Sequence, residues 1–290
     1  MAGTTIPQKS HLSRNKHPQM DLFIADIFDA SSAVKDDQAS MEHPIFALKP
    51  GDTRILEYQY GNKHISIECG SKGRATIHDK DIWIYCISQM VRSLNEGNPI
   101  SRFIDFTAYD FLKTTNRDTS GRAYLQLADA LQRLHQTTIT TNIMTGGKTA
   151  REGFGLLNSY VIERDEKERM ISVTAELPQW LMNSIIMGEV LSISRDYFRL
   201  RKPLDRRIYE LARKHCGKQL EWRISLDKLR QKAGSMASLK EFRRSIKSLA
   251  ATNELPQYRV LYDIAVDQVF FYQRSSKGAI QQIRKGLNSM

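Results

Sequence analysis

The chain has 290 residues, 41% of them hydrophobic and 26% charged, which is ordinary globular usage and excludes disorder throughout. At roughly 100–200 residues per domain, this length predicts two domains. No apolar run is long enough to span a membrane, the first twenty residues hold no secretory apolar block, and Cys69, Cys86 and Cys216 are too few and too scattered for a disulfide scaffold, so a reducing cytoplasm is expected.

The formal net charge is +11, and its location gives it meaning. Between Arg195 and Lys247 stand 17 Lys and Arg against 6 Asp and Glu, so this stretch carries the whole excess. A basic segment inside a folded region is the footprint of a polyanion partner. A solvated cationic surface is the other reading of the same residues.

Residues 1–40 read as a flexible tail: 1–20 are polar, 29–40 are rich in Ser, Ala and Asp, and Leu22, Phe23, Ile24 and Ile27 between them form a short docked segment. Thr53–Tyr60 and Lys63–Cys69 flank Gly61-Asn62 and predict a hairpin. Asp79 or Asp81 caps a helix over 82–95 whose apolar residues recur at three and four, predicting one buried face. A short strand at 104–106, a Thr107-capped helix over 108–114, a turn at 116–120 and a helix over 120–135 follow. The β-branched run after it, the Gly146-Gly147 turn and the segment 153–162 predict a hairpin, then a strand at 171–175 and a helix after Pro178. The second half begins near 191: a basic helix over 203–215, a strand at 222–224, a Ser225-capped helix over 226–233, a turn at Gly234-Ser235, a helix over 238–252, and a hairpin from 258–264 and 269–273.

The halves repeat one pattern at an offset of 118 residues. Phe106-Thr107 falls on Ile224-Ser225, Phe111 on Leu229, Tyr124 on Phe242, and Leu131 on Leu249. Strand, short helix, turn, long helix and hairpin together are a helix-turn-helix with a β wing. The expected fold is therefore α+β, two tandem winged-helix domains (41–190 and 191–274) between a disordered N-terminal tail (1–40) and a C-terminal tail (275–290).

In the second long helix Leu239, Phe242, Ile246 and Leu249 form one core stripe. Lys240, Arg243, Arg244 and Lys247, with Ser238 at the helix start, form the exposed set. Like charges at i, i+4 repel, and DNA offsets that cost. A helix fits the major groove, where Arg bonds guanine O6 and N7 in bidentate fashion. Arg199, Arg201, Lys202, Arg206 and Arg207 crowd the start of the preceding helix, an unfavourable place for cations. Facing phosphates would explain them: these residues position while the long helix specifies. Lys148 and Arg151 are expected at the tip of the first wing, on the DNA backbone. The first long helix presents Ser120, Arg122 and Gln126, with Leu125 and Asp129 replacing two cations, so it is the poorer polyanion binder.

Catalytic motifs are missing. Thr145–Thr149 mimics the end of a phosphate loop, but Asn142 replaces the glycine required there, and the segment joins two strands. His11-Leu12-Ser13-Arg14 mimics a recombinase motif from within the polar tail. No zinc spacing, carboxylate triad or His-apolar-His motif occurs, so neither enzyme chemistry, metal nor cofactor is expected.

The segments GRATIHDKDIWIYCISQ (73–89), FTAYDFLKTTNRDTSGRAY (106–124), TNIMTGGKTAREGFGLLNSY (141–160), LSISRDYFRLRKPLDRRIYELARKHCG (191–217), ISLDKLRQKAGS (224–235) and KEFRRSIK (240–247) resemble the plasmid replication initiator protein A family. The resemblance spans nearly all of 6–274. It implies sequence-specific binding to double-stranded DNA at origin repeats, help in origin opening, and recruitment of the host replication initiator and helicase machinery. It also implies a homodimer in equilibrium with monomer, the N-terminal domain mediating dimerisation and the C-terminal domain binding DNA more strongly. A winged-helix transcriptional repressor without an initiator role is the alternative; a nuclease or recombinase is disfavoured by the missing motifs.

Overall fold

The computed structural model describes residues 33–60, 62–142, 152–217 and 219–275, together with Lys277 and Ile280. The expectations for 1–32, for the Gly146-Gly147 turn and for 281–290 lie outside the described residues. The chain divides into two compact units between Phe198 and Arg199.

The first unit is organised about a helix buried all round. Strand β1 (Val34–Asp37) leads into a one-turn helix, α1 (Gln38–Glu42), where the expected tail should still run. Its register partner is β9 (Val190–Ile193), antiparallel, with Val34 opposite Ile193. Residues 34–40 are therefore ordered, and 191–198 belong to the first unit, not the second. Helix α2 (Lys80–Asn95) buries every residue from Lys80 to Ser88, so the one-face expectation is wrong there. The cause is packing on several sides, by β1, β4 (Phe103–Thr107) and α5 (Gln179–Ile186). Trp83 lies in this core and donates Nε1–H to the Leu156 carbonyl at 2.6 Å, as a buried indole must. Tyr85, Phe106 and Phe111 pack as a trio with ring centroids 5.2–5.7 Å apart.

The first turn of α2 is also buried, and each charge in it has a partner on another element. Asp79 accepts two bonds from Arg133 at 2.7 and 2.8 Å. Lys80 donates to Asp36 at 2.7 Å, and Asp81 accepts from Arg117 at 2.8 Å. Buried charges persist only when paired in this way.

The repeat is visible in backbone geometry. After β4 come α3 (Ala108–Thr114) and α4 (Gly121–Gln136); after β10 (Glu221–Ser225) come α7 (Leu226–Lys232) and α8 (Leu239–Thr252), each bound shifted by 118 at its start. The turn between the helices closes identically. Thr115, Asn116 and Arg117 donate N–H to Phe111, Lys113 and Leu112; Ala233, Gly234 and Ser235 donate to Leu229, Gln231 and Arg230. Asn116 and Gly234 both adopt left-handed backbone, φ +54° and +66°, the conformation these two residue types tolerate best.

The hairpins break the offset and correct the expected first wing. β5 (Thr137–Thr141) and β6 (Glu152–Gly155) join a separate antiparallel sheet with β2 (Leu56–Tyr60) and β3 (Lys63–Cys69), ordered β2-β3-β5-β6. The hairpin that returns to β4 is instead β7 (Ser159–Arg164) with β8 (Met170–Glu176), in the order β4-β8-β7. The second unit has the same order, β10-β12-β11, with β11 (Tyr258–Asp263) and β12 (Gln268–Gln273). It is entered through a 3₁₀ turn (Arg195–Arg199) and α6 (Pro203–His215), which starts with proline at a position that needs no amide donor.

Candidate nucleic-acid interface

Helix α8 is well defined at both ends. Ser238 Oγ accepts the Glu241 amide, and Glu241 Oε2 accepts the Ser238 amide at 3.0 Å, a reciprocal cap worth about 1 kcal/mol. The Ser238 hydroxyl is thus committed to the first turn. At the other end Asn253 takes left-handed backbone, φ +50°, and its side chain accepts the Val260 amide at 2.9 Å, fixing the helix to β11. Phe242, Ile246 and Leu249 are buried, each contributing about 1.5–3 kcal/mol. The opposite face leaves Lys240, Arg244 and Lys247 exposed. Three of the expected base-reading cations therefore share one open face.

Arg243 is drawn aside. Its Nε donates to the Tyr262 hydroxyl at 2.9 Å and its Nη2 to Asp267 Oδ2 at 3.1 Å, so it lies half-exposed against the β11–β12 hairpin. Lys247 Nζ stands 5.8 Å from the centre of the Tyr262 ring. Tyr262 and Asp267 were not expected at the site. They lie 19 and 24 residues beyond Arg243, and only the hairpin register brings them to the helix.

The phosphate set shrinks. Arg206 and Arg207 are 3% and 1% exposed, which removes them from it. Arg206 Nε donates to the Leu200 carbonyl at 2.8 Å. Arg207 pairs with buried Glu210 at 3.1 Å and donates Nη2–H to the Lys232 carbonyl at 2.9 Å, the last carbonyl of α7. A cation at a helix C-terminus is favourable, so Arg207 answers an intramolecular need and not a DNA phosphate. Arg201 and Lys202 remain exposed at the start of α6, with Arg199 half-buried beside them. Lys228 on α7 and Arg223 on β10 are exposed cations that periodicity alone did not single out.

Lys148 and Arg151 lie outside the described residues, in the connection between β5 and β6, which is not the hairpin of the repeated unit. Of the two hairpins that are, one has an apolar tip and the other a mixed one, where Lys167 and Arg169 stand among Asp165, Glu166 and Glu168. The β11–β12 turn presents Ile264, Ala265 and Val266, and the β7–β8 turn is Asp165–Arg169, where Arg169 pairs with Asp165 at 2.6 Å.

On α4 the corresponding positions are Arg122, Leu125, Gln126 and Asp129, all exposed, with Ser120 at the N-cap. Leu125 is 67% exposed, and Asp129 pairs with Lys72 at 2.7 Å. Leu125 borders an open groove of about 740 Å³ lined also by Tyr109, Tyr124, Ala128, Met170 and Ile171. This face carries one leucine, one cation and one acid where that of α8 carries three cations, and the far side of the groove is charged, with Arg164, Asp165, Glu168 and Arg169. Among the described residues no cluster of three metal-binding side chains occurs, and no helix is long and apolar enough to cross a membrane.

Comparison with known proteins bears on these elements directly. The fold is similar to crystal structures of domains 2 and 3 of RctB. One has a TM-score of 0.60 at 11% identity over 81% of this chain and 96% of that one. Another gives 0.57 at 11% identity, covering 84% and 99%. A protein of Wigglesworthia glossinidia brevipalpis described as "Putative replication protein" is 45% identical over 271 residues, 92% of this chain and 98% of that protein. The model of the family described as Replication initiator protein A matches residues 35–260, so the chain belongs to the replication initiator protein A family.

Proposed function

We propose that this replication initiator binds double-stranded DNA at repeated sites in a plasmid origin, with α8 in the major groove. The carrying observation is the open face of Lys240, Arg244 and Lys247, opposite the buried Phe242, Ile246 and Leu249 on a doubly capped helix. Both strand–helix–turn–helix–hairpin units are winged helices in this reading. Arg201 and Lys202, with Arg199, neutralise phosphates, while α8 reads base edges. The first unit, with Leu125 and the groove beside it, serves protein contact, a homodimer in equilibrium with monomer, and makes the weaker DNA contact through Arg122 and Gln126.

Origin opening then requires no catalytic residue, because binding energy can bend and unpair a flexible duplex. The protein acts in the cytoplasm, without cofactor, and hands the opened origin to the host initiator and helicase machinery.

Footprinting on the DNA flanking the gene tests the binding half, and plasmid maintenance tests the replication half. Protection of a repeated sequence, with loss of plasmid copying when those repeats are deleted, is expected. Protection of a promoter alone, with copying unaffected by loss of the protein, would make it a repressor. Nicking of supercoiled origin DNA in Mg²⁺ would make it an enzyme.

A further inference from the structure

Arg243 occupies a different situation from the cations around it. Its Nε donates to the Tyr262 hydroxyl at 2.9 Å and lies 3.4 Å from Asp267 Oδ1, and its Nη2 donates to Asp267 Oδ2 at 3.1 Å. Tyr262 donates its own hydroxyl hydrogen to Asp267 Oδ1. One edge of the guanidinium is thereby taken. Nη1 makes no hydrogen bond among the described residues, so the end-on edge of the fork stays open. A guanidinium carries five N–H donors in a planar fork, and guanine O6 and N7 need two of them from a single edge.

Asp267 is itself firmly placed. It stands in left-handed backbone, φ +51°, at the end of the β11–β12 turn, and its carbonyl accepts the Leu226 amide at 3.0 Å. The residue thus ties the hairpin to the start of α7 and to the middle of α8. The Tyr262 hydroxyl and the Arg243 guanidinium hold its carboxyl below the usual carboxylate range, so it is ionised at neutral pH. An exposed ion pair of this kind adds little to stability, which leaves its geometry to be explained.

Resting on the DNA-reading role of α8, we infer that Asp267 is a positioning residue that sets specificity by presenting Arg243 to one guanine. It grips the guanidinium by one edge, so the other edge points in a fixed direction. Its negative charge also opposes the approach of phosphate to that arginine. A free arginine on this helix would serve any phosphate; a held one serves one base pair.

Selection from a duplex library with a randomised core tests this without a known site. Asp267→Asn keeps the shape and tolerates the left-handed backbone, and an unchanged thermal midpoint confirms the fold. Wild type should enrich a motif. Arg243→Ala and Asp267→Asn should each relax the same base pair, by about tenfold or more in discrimination, and leave the rest of the motif intact. The double variant should relax no further than Arg243→Ala. Affinity for a mixed-sequence duplex should rise about two- to fivefold in Asp267→Asn and not in the double variant. If Asp267→Asn leaves every position unchanged, or relaxes a position other than that of Arg243→Ala, the positioning role is wrong while DNA reading stands. If Lys240→Ala/Arg244→Ala/Lys247→Ala binds and enriches as wild type does, or wild type enriches no motif, DNA reading by α8 falls and the role of Asp267 with it.

Discussion

Lys80 Nζ lies 2.7 Å from Asp36 Oδ2, and neither side chain has any solvent exposure. The pair joins β1 to the first turn of α2, across 44 residues. Removing one partner strips a counter-charge from a buried ion. Lys80→Met should therefore cost about 3–5 kcal/mol in denaturant unfolding. Lys80→Met with Asp36→Leu should recover most of that loss, since an apolar pair of similar volume avoids the desolvation cost. A double variant as unstable as the single one would show that the pair supplies more than charge balance.

Thiol chemistry should separate the three cysteines. Burial pushes the Cys86 thiol up to about 12 and the Cys216 thiol up to about 11, with Cys216 also bonded to the Gln219 carbonyl. Cys69 is raised as well, by burial first, but it is partly exposed. Because the thiolate is the reactive form, labelling at pH 8 should modify Cys69 slowly and leave the other two unmodified in the folded protein. All three should react in denaturant. Rapid native labelling of Cys86 would place it outside the core.

Asp52 sets an acid limit. Hydrogen bonds from Arg54, at 2.8 and 2.6 Å, are the largest cause of its depression to about 2, with the nearby Arg74 charge adding to it. A depressed carboxylate contributes stability that is fully present above its unfolded value, about 3.9, and is lost as pH falls through the folded value. The stability gap between wild type and Asp52→Asn should be constant from neutral pH down to about pH 5. It should close between about pH 4 and 2. A gap that persists at pH 2 would mean that Asp52 acts through shape and not charge.

The two long helices should respond differently. Arg122→Ala with Gln126→Ala should weaken DNA binding less than Lys240→Ala with Arg244→Ala. Truncation at these exposed sites should change stability by no more than about 0.5 kcal/mol. Leu125→Asp should shift the dimer–monomer balance in sedimentation while leaving DNA binding by the second unit intact. Equal binding losses from both helices, with assembly unchanged, would leave two equivalent DNA-reading units.

Much of the architecture was legible because it rests on local signals. Thr107 caps its helix through its hydroxyl as predicted, whereas Ser225 stands at the N-cap of α7 without a side-chain bond; of the predicted stripe Phe242, Ile246 and Leu249 are buried and Leu239 is only partly so. The repeat was legible because its turn chemistry is local: Asn116 and Gly234 permit the same left-handed step. Strand pairing was not. Thr137–Thr141 and Glu152–Gly155 pair with each other as a wing would, but the first of them also pairs with Lys63–Cys69 in a separate sheet, and composition carries no register. Burial of Arg206 and Arg207 was hidden for a related reason. Their charge looked like an excess until Glu210, Leu200 and the Lys232 carbonyl supplied partners. Asp267 was invisible at the site because it reaches Arg243 only through the hairpin fold.

The salt dependence of binding to a duplex from the gene's flanking DNA tests the central claim most directly, read for wild type and for Lys240→Ala/Arg244→Ala/Lys247→Ala. With on the order of 6–10 phosphate contacts, wild-type affinity should fall about 10³–10⁵-fold from about 50 to 200 mM salt. The triple variant should bind more weakly, with a slope shallower by about 0.9 for each phosphate contact it loses. A flat wild-type response, or a triple variant with unchanged slope and affinity, would contradict DNA binding through the open face of α8.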